Sequence, residues 1–183
     1  ARTAIAGDGI TTASIAFGGY TGSDTGATET WNGTSWTEVN DLNTARRGLA
    51  SIGTSTANLA FGGKTSGTVG NTELWDGSSW TELADLNQVR NDLGSSGTST
   101  NALGFGGATG PTAGSYAQTE FWNGTSWTEV NDLATARQNA ASAGTSSTLA
   151  LYAGGTTDGG STQVANTEEF TAADFQIKTV TTS

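Results

Sequence analysis

With no histidine and no cysteine among its 183 residues, the chain is left with carboxylates as its most numerous acid–base groups. A Ser-His-Asp triad, a Cys-His pair and an ordinary zinc site are out of reach. What remains is the two-carboxylate device of glycosidases, one acid protonated and one ionised across a scissile bond. The spacing argues against it. Glu29, Glu73, Glu120 and Glu168 recur at one place in a repeat, as do Asp41, Asp85 and Asp132, whereas a reaction centre needs one asymmetric site. The leftover acids Asp8, Asp24, Asp92, Asp158 and Glu169 show no paired spacing. Ca²⁺ would suit oxygen-rich loops, but the spacing of an EF-hand loop is missing. Catalysis is not expected, and neither is a cofactor or metal.

Other side chains recur with the glutamates. Arg2, Arg46, Arg90 and Arg137 form a second charged series. One reading is a charged channel or rim that binds an ion. The other pairs each Arg with a Glu or with backbone carbonyls and ties unit to unit. Repeated placement serves every unit equally, and bidentate Arg–carboxylate pairs tolerate partial burial, so the second is expected. Aromatics recur five residues apart, as Trp31/Trp36, Trp75/Trp80, Trp122/Trp127 and Phe170/Phe175. They are platforms for sugar stacking or fillers between units, and the filler role is expected because aromatics supply most buried area. Asn32-Gly33-Thr34 and Asn123-Gly124-Thr125 match a glycosylation sequon, but the turn explains both residues, and Asp76 replaces Asn in the second unit.

All these residues belong to one cassette. Arg is followed by small residues, an apolar stretch ending in Gly-Gly (Phe17-Gly18-Gly19, Phe61-Gly62-Gly63, Phe105-Gly106-Gly107, Ala153-Gly154-Gly155), then Glu and the two aromatics. Units 1–44, 45–88, 89–135 and 136–183 account for the whole chain as a single domain. A period of this length means stacked or radial units that cover one another's apolar faces. Apolar content of 34% is too low for one unit to fold alone.

Within the second unit, 48–53 reads as a first strand and 54–58 as a turn. Residues 59–61 lead into Gly-Gly as a second strand, 64–71 form a loop, 73–75 a third strand and 80–83 a fourth. Asp76-Gly77, and Asn-Gly in units 1 and 3, are hairpin signals because they tolerate positive φ. Four antiparallel strands per unit make a β-propeller blade. The Gly-Gly after strand two, the aromatic on strand three, the Trp five residues on and the Arg opening the next unit resemble the kelch repeat over the entire chain. The resemblance implies an all-β propeller of four four-stranded blades with binding loops, and no one activity. The aromatic spacing is tighter than is usual in kelch repeats, and kelch propellers usually have six or seven blades. Kelch-type oxidases use copper with Tyr, His and Cys ligands, a set this chain lacks. Small residues at 3–7, 93–97 and 139–144 suit a tight four-blade ring; the alternative is a partial ring completed by other residues or another chain. Terminal repeats are often atypical. The divergent fourth unit therefore places Ser183 near a natural end, and Ala1, which is not Met, reads as a processed or cut one.

Length varies mainly in the loops between Gly-Gly and Glu, at 20–28, 64–72, 108–119 and 156–167. These carry Tyr20, Asp24, Lys64, Pro111, Tyr116 and Asp158, the candidate ligand-binding residues. Variable loops on a rigid scaffold are where recognition resides. A net charge of −10 disfavours nucleic acid and anionic membrane, and no apolar run is long enough to span a bilayer. The Ser/Thr/Gly-rich blades resemble phage and bacterial surface modules, including tail fibres. The expectation is a non-enzymatic adhesin, extracellular or on a virion surface, that binds a glycan or surface protein. A structural virion or filament component that self-associates is the alternative.

Overall fold

The computed structural model describes residues 1–110, 114–171 and 176–180. Four antiparallel four-stranded sheets, each in sequence order, are arranged as the blades of a β-propeller. The first holds β1 (Ala6–Ile10), β2 (Ala13–Phe17), β3 (Thr28–Trp31) and β4 (Trp36–Val39). The second holds β5 (Ala50–Thr54), β6 (Ala57–Phe61), β7 (Thr72–Trp75) and β8 (Trp80–Glu82). The third holds β9 (Gly94–Thr98), β10 (Asn101–Phe105), β11 (Thr119–Trp122) and β12 (Trp127–Glu129). The fourth holds β13 (Ala141–Ser146) and β14 (Leu149–Ala153). After a small hairpin of β15 (Thr156–Thr157) and β16 (Thr162–Gln163), it is completed by β17 (Thr167–Thr171) and β18 (Gln176–Val180).

The inner strands start later than the sequence suggests. Ala4, Gly48, Asp92 and Asn139, at one position of the repeat, all have φ between 51° and 59°, a left-handed turn that precedes the strand. The hairpin after β5 is also tighter than expected, because β5 runs to Thr54 and β6 resumes at Ala57. At the outer hairpin, Asp76 Oδ1 accepts the N–H groups of Ser78 and Ser79, each at 2.8 Å. These bonds, that from Ser79 first, hold the exposed Asp76 carboxyl at about 2. Asn32 and Asn123 make the same turn with their side-chain oxygens, so the sequon asparagines have a structural task.

The core lies between blades. Phe17 of the first blade meets Trp80 of the second edge-on at 4.7 Å between centroids, and Phe61 meets Trp127 at 4.8 Å. The indole N–H groups of Trp80 and Trp127 reach across to the hydroxyls of Thr28 and Thr72. Trp80 and Trp127 are therefore fillers between blades at these seams, and the polar tip of each is partnered. In the fourth blade Tyr152 stacks on Phe105 at 5.7 Å, and burial pushes its hydroxyl up to about 12. Phe175, the fourth unit's second aromatic, lies outside the described residues.

The outer faces of the first and fourth blades are not sealed in this way. Trp36 is 49% exposed, against 6% and 5% for Trp80 and Trp127. Leu151 is 44% exposed, whereas Leu59 and Leu103 at its repeat position are fully buried. Inner strands pack β1 on β5, β5 on β9 and β9 on β13, and β1 with β13 is not among the closely packed pairs of the described residues. The four blades expected from the sequence are present, and the outer faces of the first and fourth are less buried than the internal seams.

Candidate functional site

The Arg and Glu series build the support of one face. Arg90 donates to Gly106 O at 2.8 Å, to Gln118 O at 2.5 Å and to Glu120 at 2.8 Å. Burial pulls its guanidinium below the usual arginine value, and the Glu120 charge opposes that pull. Arg46–Glu73 and Arg137–Glu168 are equally buried pairs, and Arg2–Glu29 is a partly exposed one. Each buried Glu also accepts N–H groups of the preceding linker. Glu73 takes Asn43 N at 2.7 Å and Thr44 N at 3.3 Å; Glu120 takes Asn87 N and Gln88 N in the same way. The Arg carbonyl completes the joint by accepting an N–H of the previous blade, as in Gly63 N to Arg90 O at 2.8 Å. Gly62 precedes that contact at φ +65°, and a Cβ there would lie 2.5 Å from the Arg90 oxygen, so the motif needs glycine.

With the Arg anchored, the next residue emerges beside the loop that follows Gly-Gly. Thr3 pairs with Tyr20, Arg47 with Lys64, Asn91 with Ala108 and Gln138 with Thr156. On the loop's far side, Tyr20 pairs with Asp24, Lys64 with Thr68, Ala108 with Ser115 and Thr156 with Gln163. Four repeat positions thus converge on one end of each blade. The first reads Thr3, Arg47, Asn91, Gln138 and the second Ala4, Gly48, Asp92, Asn139. The third reads Tyr20, Lys64, Ala108, Thr156 and the fourth Asp24, Thr68, Ser115, Gln163. No position repeats a residue type, whereas the Arg, Glu and Gly-Gly beneath them are the same in all four units. Asn91, Ala108 and Gln138 are covered; the other members are half-buried or exposed.

Neighbouring loops are coupled across blades. Arg47 of the second unit pairs with Asp24 of the first and lies 4.5 Å over the Tyr20 ring. Thr68 donates to Asn91 Oδ1 at 3.4 Å, and Ser115 donates to Thr156 O at 3.2 Å. Burial raises the Asp92 carboxyl above its ordinary value, with Lys64, Asn91 and Arg47 pulling the other way. A ladder of backbone bonds links the same positions around the axis: Gly48 N to Ala4 O at 3.1 Å, Asp92 N to Gly48 O at 2.8 Å and Asn139 N to Asp92 O at 3.1 Å.

Of the residues expected to bind a ligand, the structure brings Tyr20 and Asp24 together through Arg47, with Lys64 paired to the backbone of that same arginine. Tyr116 is drawn inward instead, its hydroxyl 3.2 Å from Thr109 Oγ1 and its carbonyl accepting Arg137 N. Asp158 stands apart in an exposed 3₁₀ turn of the β15–β16 loop. Pro111 lies outside the described residues. Sequence reasoning gave no binding role to Arg47, Asn91 or Asp92; their signal is the change of residue type just after a constant Arg. The recurring Asp41, Asp85 and Asp132 each accept the N–H that opens a third strand, at 3.2 Å from Thr28, Thr72 and Thr119. Among the described residues no three acidic side chains converge on a metal-sized site.

No protein-family model matches the chain. Nor does any curated protein match it.

Proposed function

We propose that this chain is a non-enzymatic, kelch-like propeller module that uses its loop face to recognise a glycan or surface protein. It would act outside the cell or on a virion, in the manner of a phage tail-fibre or bacterial adhesin module. One observation carries the reading: at one end of the blades four positions each carry four different residues, above an Arg, a Glu and a Gly-Gly that recur in every unit. Seven basic residues are present, four of them in the Arg series; Arg47 and Lys64 are two of the three left over, and both lie here beside Tyr20. Tyr and Arg are the types that most often dominate binding energy at interfaces. The fixed Arg47–Tyr20–Asp24 cluster would bind with little ordering cost.

The test is binding of the 183-residue chain to a glycan array and to intact bacterial cells. Tyr20→Ala with Lys64→Ala should lower retention at least tenfold and leave the melting temperature within a few degrees of the parent. Retention that survives this pair, or absence of retention on both surfaces, would reject the reading. The structural alternative draws on a different observation, the exposed Trp36 and Leu151.

A further inference from the structure

The first two internal seams show how one blade of this chain seats on the next. The leading side of a blade offers its second Trp, and the trailing side of the blade before offers a Thr hydroxyl, a Leu or Ile on strand two and an aromatic at the strand's end. Among the described residues, none seals the leading side of the first blade in this way. Trp36 is exposed, Ile5 is 48% exposed where Leu49 is buried, and Ala1, Arg2, Ile5, Ala16, Glu29 and Trp36 line an open groove. The fourth blade presents an uncovered trailing side, where Leu149, Leu151 and Ala143 line a second groove. Its Thr167 stands at the position of Thr28 and Thr72.

The fourth blade's trailing side has its own shape. Ala153 replaces the phenylalanine of the other three units, and Leu149 replaces Ala13, Ala57 and Asn101. Apolar bulk has moved from one end of strand two to the other. Apolar side chains as large as Trp36, Leu149 and Leu151, exposed in two such grooves, mark an interaction surface.

We infer that the occupant is a second copy of this chain, seated head to tail, with the first blade of each copy against the fourth blade of the other. The contact continues an interface the chain already makes three times within itself. A head-to-tail contact forms a ring where its rotation closes and a filament where it does not. Two copies supply eight blades, the upper end of the usual propeller range, and the two seams are then identical by a two-fold along the propeller axis. The Trp36 indole N–H would meet the partner copy's Thr167 hydroxyl, as Trp80 meets Thr28. Glu169, which stands where Leu74 and Phe121 stand, keeps a carboxylate at the groove. The seam between copies is therefore weaker than the internal ones and reversible on dilution. None of this rests on the recognition reading, because no ligand takes part.

Sedimentation equilibrium of the 183-residue chain over about 1 to 100 µM tests the inference. The expected result is a reversible rise from 18.4 kDa to twice that mass with no larger species. Leu151→Asp should weaken association at least tenfold with an unchanged circular dichroism spectrum. A chain that stays at one copy throughout, or one that grows without limit, would overturn the closed pair. Cross-linking gives an independent reading, since the protein has no cysteine of its own. A chain carrying both Trp36→Cys and Thr167→Cys, treated with a short bis-maleimide, should yield a covalent two-chain product. The control carrying Trp80→Cys and Thr28→Cys should close within one chain. Closure within one chain for the first pair would show a four-blade ring instead.

Discussion

The indole N–H of Trp80 in the second blade donates to the hydroxyl of Thr28 in the first, across 3.1 Å of an otherwise apolar seam. The Thr28 hydroxyl in turn donates to Gly26 O, so the contact is satisfied on both sides. Trp127 and Thr72 repeat it one seam on. At the third seam Thr119 Oγ1 is buried without a partner, and the fourth unit has phenylalanine, which has no N–H to give, in place of the tryptophan.

Thr28→Val should therefore destabilise the protein by about 1–3 kcal/mol, because it leaves a buried indole N–H unpaired. Thr119→Val, the same change at the same repeat position, should be neutral or stabilising, because it removes an unpaired hydroxyl. Urea denaturation of the two variants measures the contrast. Equal losses would show that the hydrogen bond is not what distinguishes the seams.

Arg46→Ala leaves the Glu73 carboxylate buried without its counter-ion, and a loss of about 3–5 kcal/mol is expected. Replacing both partners with methionine should not restore stability. Glu73 also accepts the N–H groups of Asn43 and Thr44, and those donors would then be stranded. The double variant should remain at least about 2 kcal/mol below the parent in urea denaturation.

Gly62→Ala forces a side chain into a left-handed turn and against the Arg90 carbonyl. A cost of at least about 2 kcal/mol is expected from these two effects. A Cβ on Gly67 would meet nothing within 4 Å beyond its chain neighbours, and Gly67→Ala should fall within about 0.5 kcal/mol of the parent. Thermal melts of the pair decide whether the Gly-Gly motif is a backbone requirement.

The raised Asp92 carboxyl has a pH signature. Between the ordinary aspartate value and its raised folded value, the native protein holds a proton that the unfolded chain has released. This group's contribution to stability is therefore lost as pH rises through that window, and the penalty is complete above it. Asp92→Asn should stabilise at neutral pH by on the order of 0.5 kcal/mol and give no gain below the ordinary aspartate value. Asn139 occupies the equivalent position at φ +54°, so asparagine suits the turn. Melting temperature against pH for the two proteins, compared as a difference, cancels the other carboxylates. A gain that is constant with pH would remove the carboxyl as its cause.

Repeat, blade and strand order were legible in the sequence, because they depend on local signals. Gly-Gly, Asn-Gly and Asp-Gly mark turns by their tolerance of positive φ, and the recurrence of Arg, Glu and Trp sets the unit. The pairing of Arg with Glu followed from two charges that recur together. The loop face was legible in outline: Tyr20, Asp24 and Lys64 were expected there. What joins them was not, because Arg47 comes from the next unit and reaches Tyr20 and Asp24 only through the way two blades are set against each other. The open seam was hidden for the same reason. Trp36 and Trp80 are the same residue type in the same local sequence, yet one is exposed and the other buried. Local pattern determines what a blade is, whereas the rotation between blades determines which of its faces remains in water. That rotation is the sum of many side-chain contacts distant in sequence, and only the tertiary structure decides it.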